Sequence, residues 1–151
     1  MNALIVIVTF IAMEGVAWAT HKYVMHGFLW NLHRDHHTKE NLPAWWEKND
    51  AFFLIFATPG ALTMMLSSAL GMPWLFYIGL GITIYGAAYF MVHDVFIHQR
   101  LKWFRKTDNP YFRALRRAHK VHHKHLGKEH GECFGMLMVP FEFFRKEFVK
   151  S

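Results

Sequence analysis

The chain has 151 residues, enough for one domain, and 53% of them are apolar, slightly more than in an ordinary soluble domain. A net charge of +6 could suggest a nucleic-acid-binding protein, but no aromatic-interleaved basic module of that class is present. The single cysteine, Cys133, excludes an intramolecular disulfide, so nothing in the sequence depends on an oxidising compartment.

The first predicted element is an apolar helix at about residues 2–20. Only Glu14 interrupts it, and an ionisable residue inside a span is costly. Glu14 is therefore expected to make a polar contact near substrate or a helix partner, or to form a simple interhelical hydrogen bond. Ala17-Trp18-Ala19 resembles a signal-peptide cleavage site, but the segment lacks a positive n-region and its apolar part is long. The sequence favours an uncleaved membrane anchor.

A longer apolar stretch follows, in which 42 consecutive residues between Asp50 and His93 carry no formal charge. That is about twice the length one membrane-crossing helix needs. It predicts a helical hairpin with spans at about 51–70 and 74–92, turning at Leu70-Gly71-Met72-Pro73. A later apolar segment, 133–144, is rich in aromatic residues and precedes basic ones, which is typical of an interfacial or re-entrant segment.

Basic residues follow the membrane segments, whereas the hairpin turn carries no charge. By the positive-inside rule both basic stretches are cytoplasmic and the turn is outside. One span followed by a hairpin also brings the chain back to the same side, so residues 21–37 and 93–123 share one face of the membrane. The basic residues concerned are Lys22, Arg34, Lys39 and Lys48, then Arg100, Lys102, Arg105 and Lys106.

Ten of the twelve histidines fall in four motifs, two HxxxxH and two HxxHH. The HxxHH spacing places three imidazoles on one helical face, where they can converge on a metal. Two chance matches to HxxHH are expected in only about a few sequences per thousand of this composition. The HxxxxH spacing leaves side chains about 140° apart on a regular α-helix, so each pair should straddle a groove, lie at a helix end or use a local bulge.

These ten histidines are too many ligands for one ion, because even six-coordinate metals would leave four imidazoles idle. Two ions are the economical number. Nitrogen ligands suit iron, copper, nickel or zinc and disfavour calcium and magnesium, but imidazoles alone do not choose among the first four. The candidate ligands are His21, His26, His33, His36, His37, His93, His98, His119, His122 and His123.

Other polar residues accompany the motifs. Asp35 and Asp94 are placed to accept an imidazole N–H and fix its tautomer, or are ordinary solvated carboxylates, and the sequence leaves both open. Glu132, like Glu129, is more consistent with a solvated carboxylate. The remaining histidines, His125 and His130, are interpreted as polar residues at the membrane interface. The sequence thus predicts an all-α integral membrane protein, a single domain over 1–151, with about three to four transmembrane helices and a cytoplasmic histidine-rich helical cap holding a dimetal site.

The phrases HKYVMH, HRDHH, HDVFIH and HKVHH, arranged in this order around a membrane hairpin, resemble the fatty acid hydroxylase and sterol desaturase superfamily of membrane di-iron oxygenases. MHGFLWNLHRDHH and GKEHGECFGML are similar in particular to the bacterial β-carotene 3-hydroxylase family. The likeness extends from His21 to about Pro140, and each of the ten box histidines of that family has a counterpart here.

The resemblance implies that these ten histidines bind two iron ions, which zinc could replace in purified protein. It also implies that O2 is reduced there with electrons from a ferredoxin-type donor, and that C3 of a β-ionone ring is hydroxylated. β-Carotene would be converted through cryptoxanthin to zeaxanthin. Such an apolar substrate dissolves in the bilayer, so the cleft is expected to open sideways into lipid.

Two alternatives remain open. One is a hydroxylase, desaturase or ketolase of the same superfamily acting on another lipid, such as a fatty acid, a sterol or a carotenoid 4-position. The other is a non-catalytic membrane protein that binds metal or haem. No dinucleotide fingerprint is present, so an enzyme would take electrons from outside. The basic residues that could steer an acidic redox protein, or contact anionic lipid instead, are Arg100, Lys102, Arg105, Lys106, Arg113, Arg116 and Arg117.

Overall fold

The structure is a computed structural model that describes residues 1–38 and 46–149. Within these ranges every regular element is helical. The α-helices are α1 (Asn2–Ala19), α2 (Trp30–Thr38), α3 (Ala51–Ala69), α4 (Pro73–Phe90), α5 (Pro110–His122) and α6 (Phe141–Phe148). Two π-helices, Thr20–Phe28 and Met91–Ile97, directly continue α1 and α4, and a 3₁₀ turn at Lys48–Asp50 precedes α3. Lys39, used above to assign topology, lies outside the described residues.

Three helical stretches are long and apolar enough to cross a membrane: Asn2–Phe28, Lys48–Ala69 and Pro73–Ile97. Large apolar side chains project outward from them, including Ile11 and Phe53, which are 63% and 60% exposed. Such a surface is suited to lipid rather than water. The prediction of an all-α integral membrane protein is confirmed, with three spans in the described part of the chain.

The helix α4 lies at the centre of the membrane bundle and packs against both α1 and α3. Two glycines allow this close approach. A Cβ at Gly79 would lie only 2.6 Å from the carbonyl oxygen of Gly60 in α3, and one at Gly81 would lie 2.7 Å from Thr9 in α1. Membrane helices commonly pack through small residues in this way, because backbones can then approach closely.

The hairpin turns where the sequence predicts. The N–H of Gly71 donates to the carbonyl of Ser68 (3.2 Å), and that of Met72 donates to Ser67 (2.9 Å). This pair of hydrogen bonds is a Schellman motif, which requires a left-handed residue after the helix. Gly71 supplies it with φ = +62°, and Pro73 begins α4. The turn returns the chain to the membrane face that it left.

The two π-helices therefore end at the same edge of the bundle, where α2 and α5 cover them. The first π-helix packs against α2, and the second contacts α5. α5 is held in turn by α6, through a small apolar cluster of Ala114, Ala118 and Phe143. All four histidine motifs lie on these covering elements or on the π-helices beneath them.

Candidate metal centre

The first HxxxxH motif lies in a π-helix, and the second begins in the other π-helix and ends at His98, the residue that caps it. A π-helix has i→i+5 hydrogen bonds, so residues five apart lie on one face instead of about 140° apart. The N–H of His98 donates to the carbonyl of His93 at 2.9 Å, which is the defining bond. Ring centroids are 4.5 Å apart for His93 and His98, and 5.3 Å apart for His21 and His26. Of the three geometries left open by the sequence, the local bulge is confirmed.

Nine histidines form two groups, and within each group the ligand nitrogens all lie within 4.8 Å of one another. Eight of the nine are buried, and His98 is partly exposed. The first group contains five residues, which are His21, His26, His33, His37 and His122. The second contains four, which are His36, His93, His98 and His119.

Each HxxHH motif is divided between the two groups. His33 and His37 join the first group, whereas His36, between them, faces the second. The second HxxHH motif does the reverse, because His122 faces the first group and His119 the second. The HxxHH spacing allows three imidazoles to converge, but in the structure the imidazoles of each box face two different groups. Positions i and i+4 are only about 40° apart around a helix, but i+3 is about 100° from i+4.

The tenth histidine, His123, lies between the two groups. Its ring is stacked on His37 of the first group at 4.5 Å, and it is 4.5 Å from His119 and 4.9 Å from His98 of the second. His119 and His123 form the i, i+4 pair of their motif, as His33 and His37 do in the other. The two halves of the site are thus arranged alike.

In the first group every imidazole is oriented by a neutral oxygen. The Nδ1 atoms of these rings lie 2.7–3.1 Å from an acceptor, so each carries its proton on Nδ1 and directs Nε2 inward. Four acceptors are backbone carbonyls from the loop after α5, and one is an amide side chain. The pairs are His21 with Phe134, His26 with Lys128, His33 with Asn49 Oδ1, His37 with His125, and His122 with Glu132.

In the second group two imidazoles are oriented by carboxylates. His36 Nδ1 lies 2.7 Å from Glu47 Oε2, and His93 Nδ1 lies 3.0 Å from Asp94 Oδ2. Arg100 bridges Asp94 (2.9 Å) to Asp50 at the start of α3 (2.8 Å). These two Nδ1 acceptors are therefore carboxylates, unlike the neutral oxygens of the first group.

The inward Nε2 atoms approach each other closely. His33 Nε2 lies 3.2 Å from that of His21 and 3.1 Å from that of His37, and the His98 and His119 atoms are 2.8 Å apart. Where Nδ1 carries the proton, Nε2 carries a lone pair, and two lone pairs at this distance repel. A shared cation removes the repulsion. Two nitrogens about 2.1 Å from one ion lie about 3.0–3.4 Å apart at tetrahedral or octahedral angles, so a metal fits.

Protonation of these Nε2 atoms would also remove the repulsion, but the low pKa values of the rings oppose it. Burial, assisted by neighbouring imidazoles, lowers the pKa of His33 to about 2, of His122 to about 3 and of His37 to about 4. Burial also holds the pKa values of His36 and His119 well below their usual range. At neutral pH the rings are uncharged, which is the form that binds metals.

Among the described histidines, two buried imidazole nitrogens have no hydrogen-bond partner, Nε2 of His36 and Nε2 of His123. Leaving a polar atom unsatisfied in a protein interior costs about 1–3 kcal/mol. A metal ion coordinated at these atoms would remove that cost. The two orphaned atoms belong to the two HxxHH motifs and lie on rings 4.8 Å apart.

A carboxylate from the membrane fixes the loop that orients the first group. Glu14 in α1 accepts hydrogen bonds from three consecutive amides, Met136, Leu137 and Met138, at 2.9–3.1 Å. It also accepts from the Tyr85 hydroxyl of α4 at 2.7 Å. Glu14 is seven residues before His21, about 10 Å along the helix. Its contacts combine interhelical hydrogen bonding with capture of a distant segment.

The other predicted polar residues have mixed outcomes. Asp94 accepts an imidazole N–H, as described above. Asp35 does not, because its Oδ2 accepts from the Lys48 backbone N–H at 2.6 Å, and at 8% exposure it is not a solvated carboxylate either. Glu132 orients His122 through its carbonyl, while its exposed side chain lies 3.3 Å from His125 Nε2. Neither His125 nor His130 belongs to either group.

Sequence reasoning missed two side chains, Glu47 and Asn49, which orient His36 and His33. Both lie in a short polar stretch, Glu47-Lys48-Asn49-Asp50, immediately before the uncharged hairpin. A polar cluster at the entrance of a membrane span, facing a histidine motif, was the available signal. The four carbonyl acceptors had no such signal, since every residue has a carbonyl.

Three membrane-capable helices and the buried imidazole groups at one end define an integral membrane protein with a histidine-built candidate metal centre. The family described as fatty acid hydroxylase has a sequence model that matches residues 6–142. The chain belongs to this family, and it is an oxidoreductase. No solved structure is significantly similar to it.

Similar curated proteins are carotenoid enzymes by name. The chain is 44% identical to a β-carotene hydroxylase of Pantoea ananas, covering 92% of this chain and 78% of the relative. It is 40% identical to a β-carotene hydroxylase of Pseudescherichia vulneris, covering 91% and 76%. A chloroplastic β-carotene 3-hydroxylase of Arabidopsis thaliana is 36% identical, over 87% of this chain and 42% of the longer plant protein.

Proposed function

We propose that this chain is a β-carotene 3-hydroxylase, which converts β-carotene through cryptoxanthin to zeaxanthin. The observation that carries the proposal is a cluster of ten imidazoles, eight of them buried, in a chain 44% identical to a β-carotene hydroxylase. Imidazole ligands resist oxidation better than thiolates do, so this ligand set suits a metal centre that generates a strong oxidant.

The proposed ligands are the ten motif histidines, five for each of two iron ions. His123 completes the second group, since it is the i+4 partner of His119 and its Nε2 is otherwise unsatisfied. The iron pair, when bound, supplies O2 reduction and an oxidant for an unactivated C–H bond. The overall reaction consumes O2, two electrons and two protons, replaces one C3–H with C3–OH and releases one water.

The protein's own residues prepare the site in three ways. Acceptors on Nδ1 fix seven of the ten rings with Nε2 inward, which removes rotational freedom before a metal binds. Burial lowers the pKa values of His33, His36, His37 and His122, so these rings are uncharged at physiological pH. The ring of Phe134, within 5.3 Å of His21, His26 and His122, shields the first group from water.

The substrate is proposed to enter from the bilayer. β-Carotene has no polar group, so its two rings and polyene dissolve in the hydrocarbon core. The segment 133–144 is proposed to dip into the membrane, because its amides at 136–138 contact Glu14 about two helical turns before His21. Phe134 and Leu137 would then face the side from which a β-ionone ring approaches.

The metal centre is proposed to lie on the cytoplasmic side, as the positive-inside rule indicates, and to receive electrons from a ferredoxin-type protein. Four of the seven arginines and lysines considered for docking are used within the protein. Arg100 pairs with two aspartates, Arg113 and Arg117 pair with Glu147, and Arg116 donates to the Phe96 carbonyl. The exposed residues left for an acidic donor are Lys102, Arg105 and Lys106.

The haem-binding alternative fits the geometry poorly. An axial pair of histidines must leave room for a porphyrin between them. In the first group five ligand nitrogens lie within 4.8 Å of one another, and His33 Nε2 is only 3.1–3.2 Å from those of His37 and His21, too close for a porphyrin between them. This spacing supports ions held directly by imidazoles.

The test is expression in cells that accumulate β-carotene, followed by chromatography of the pigments. Zeaxanthin, with cryptoxanthin as intermediate, is the expected product, and a His36→Ala variant should yield neither. Recovery of 4-keto products, or of unchanged β-carotene beside normally inserted protein, would overturn the assignment. Metal analysis near two ions per chain and a spectrum without a Soret band would separate this enzyme from a haem protein.

A further inference from the structure

The two histidine groups differ in the charge of the atoms that orient them. All five Nδ1 atoms of the first group face neutral oxygens, four of them backbone carbonyls. In the second group the two Nδ1 atoms described above, those of His36 and His93, face the carboxylates of Glu47 and Asp94. All seven contacts follow this division, with five to neutral oxygens in the first group and two to carboxylates in the second.

The carboxylates of the second group belong to a continuous charged belt. Glu47 donates its backbone N–H to Asp50 Oδ2 at 3.0 Å, in a capping box that opens the 3₁₀ turn. Asp50 pairs with Arg100, and Arg100 pairs with Asp94. The belt runs from His36 to His93 around one side of the second group and joins the start of α3 to the end of the second π-helix.

This belt contains three carboxylates and one guanidinium, so it is negative overall. Its four side chains are 13–20% exposed, which limits screening by solvent and salt. A carboxylate that accepts the Nδ1 proton makes the imidazole a stronger donor at Nε2. A nearby negative charge also attracts a cation directly.

We propose that the two metal positions are unequal, and that the position built by His36, His93, His98 and His119 binds its ion first and more tightly. Glu47 and Asp94 are positioning residues that act on the ion through His36 and His93. The position oriented by carbonyls is filled second and releases its ion more readily. This inference rests on the ligand set proposed above, and does not depend on which lipid is the substrate.

The test is titration of metal-free, full-length protein in detergent with Co²⁺, followed by visible absorption and by competition with a chelator. Wild-type protein should show two steps, each of about one ion, that differ in affinity by about tenfold or more. Asp94→Asn should weaken the tight step by about 10–100-fold and leave the weak step within about twofold. Glu47→Gln should act in the same way and serves as the second variant if Asp94→Asn is poorly folded.

A matched control uses the other group. Asn49→Asp places a carboxylate on His33 Nδ1 and should tighten the weak step, bringing the two steps closer together. Circular dichroism and gel filtration of each variant verify that the fold is retained. If the belt had only a structural role, Asp94→Asn would weaken both Co²⁺-binding steps together. Asn49→Asp would then leave the affinity of the weak step unchanged.

Two equal sites in wild-type protein, or equal weakening of both steps in Asp94→Asn and Glu47→Gln, would overturn the inference while leaving the ligand set intact. Conversely, unequal sites in a protein that produces no zeaxanthin would sustain it and reject the proposed substrate. Protein that binds no Co²⁺ would reject both the ligand set and the inference.

Discussion

Glu14 and Leu137 meet although 123 residues separate them, and the Leu137 N–H lies 3.0 and 3.1 Å from the two oxygens of the Glu14 carboxylate. The amides on either side, those of Met136 and Met138, point at the same group. The loop they belong to also supplies the carbonyls that orient four imidazoles. A charged residue inside a membrane helix therefore determines the position of the metal-centre loop.

Replacing Glu14 with glutamine should loosen that loop. The amide keeps the size of the side chain but loses the charge, and its NH₂ group would face N–H donors. We expect a stability loss of about 2 kcal/mol, together with faster hydrogen exchange at residues 136–138. Exchange measured by mass spectrometry on detergent-solubilised protein checks this.

Glu142→Gln is the matched control, because Glu142 is exposed and its carboxylate pairs only across one helical turn with Lys146. Its exchange pattern at 136–138 should equal that of wild type. Unchanged protection in Glu14→Gln would show that the loop is held by other contacts.

Removing His122 should cost metal as well as activity. His122 is fully buried and crosses into the first group, so His122→Ala should lower metal content by about one ion per chain and abolish hydroxylation. His130→Asn is the control, since His130 is exposed, has φ = +63° that asparagine tolerates, and lies outside both groups. Metal analysis by mass spectrometry should distinguish the two. Equal metal content in both variants would remove His122 from the ligand set.

The protein should lose stability as the pH falls below about 6.5, where unfolded histidines begin to bind protons. The pKa of folded His37 is lowered to about 4 and that of His122 to about 3, chiefly by burial. The folded chain therefore stays unprotonated at these rings while the unfolded chain takes up protons, so acid favours unfolding.

Thermal melting between pH 7 and pH 4 tests this expectation. The melting temperature should fall steadily over this window, and more steeply for metal-loaded protein, because bound ligands must be deprotonated. It should be flat above about pH 7.5. A melting temperature that rises towards pH 5 would contradict the burial of neutral imidazoles.

Helix packing in the membrane should depend on Gly79 more than on a glycine seven positions later. A Cβ at Gly79 would meet the Gly60 carbonyl oxygen at 2.6 Å, whereas one at Gly86 has no atom within 4 Å. Gly79→Ala should destabilise the bundle by about 1–3 kcal/mol, the usual range for overpacking, and Gly86→Ala should not. Unfolding in mixed micelles measures the difference. Equal unfolding free energies of the two variants would show that α3 and α4 move apart to accommodate the added methyl group without loss of stability.

Much of the architecture could be predicted because membrane constraints leave few choices. The charge-free run after Asp50 is long enough for two spans, and Leu70-Gly71-Met72-Pro73 is the turn that ends one helix and begins the next. Parity of the spans then brings both histidine regions to one face. The resemblance of the four motifs to a known superfamily indicated the family.

The internal arrangement of the site could not be predicted in the same way. α-Helical geometry cannot join the two histidines of an HxxxxH motif, and nothing in THKYVMHGF signals the π-helix that does. The division of each HxxHH motif between the two histidine groups depends on where the other half of the chain packs, which sequence spacing does not show. From the sequence, Asp35 was expected to accept an imidazole N–H, but Glu47 makes that contact with His36. The turn that brings Glu47 to His36 is a tertiary feature, so sequence spacing does not reveal it.

His36 and His122 each belong to the group that is built mainly by the other half of the chain, and this has a consequence for how the site assembles during synthesis. Residues 21–37 alone supply four members of the first group and lack the fifth, and that missing ring arrives only when α5 has been synthesised and docked. A nascent chain halted after its hairpin would thus present an incomplete cage with weak affinity. Binding of the two proposed iron ions would therefore be a late step that depends on correct assembly, because the ions would join ligands from the amino-terminal and carboxy-terminal halves of the chain.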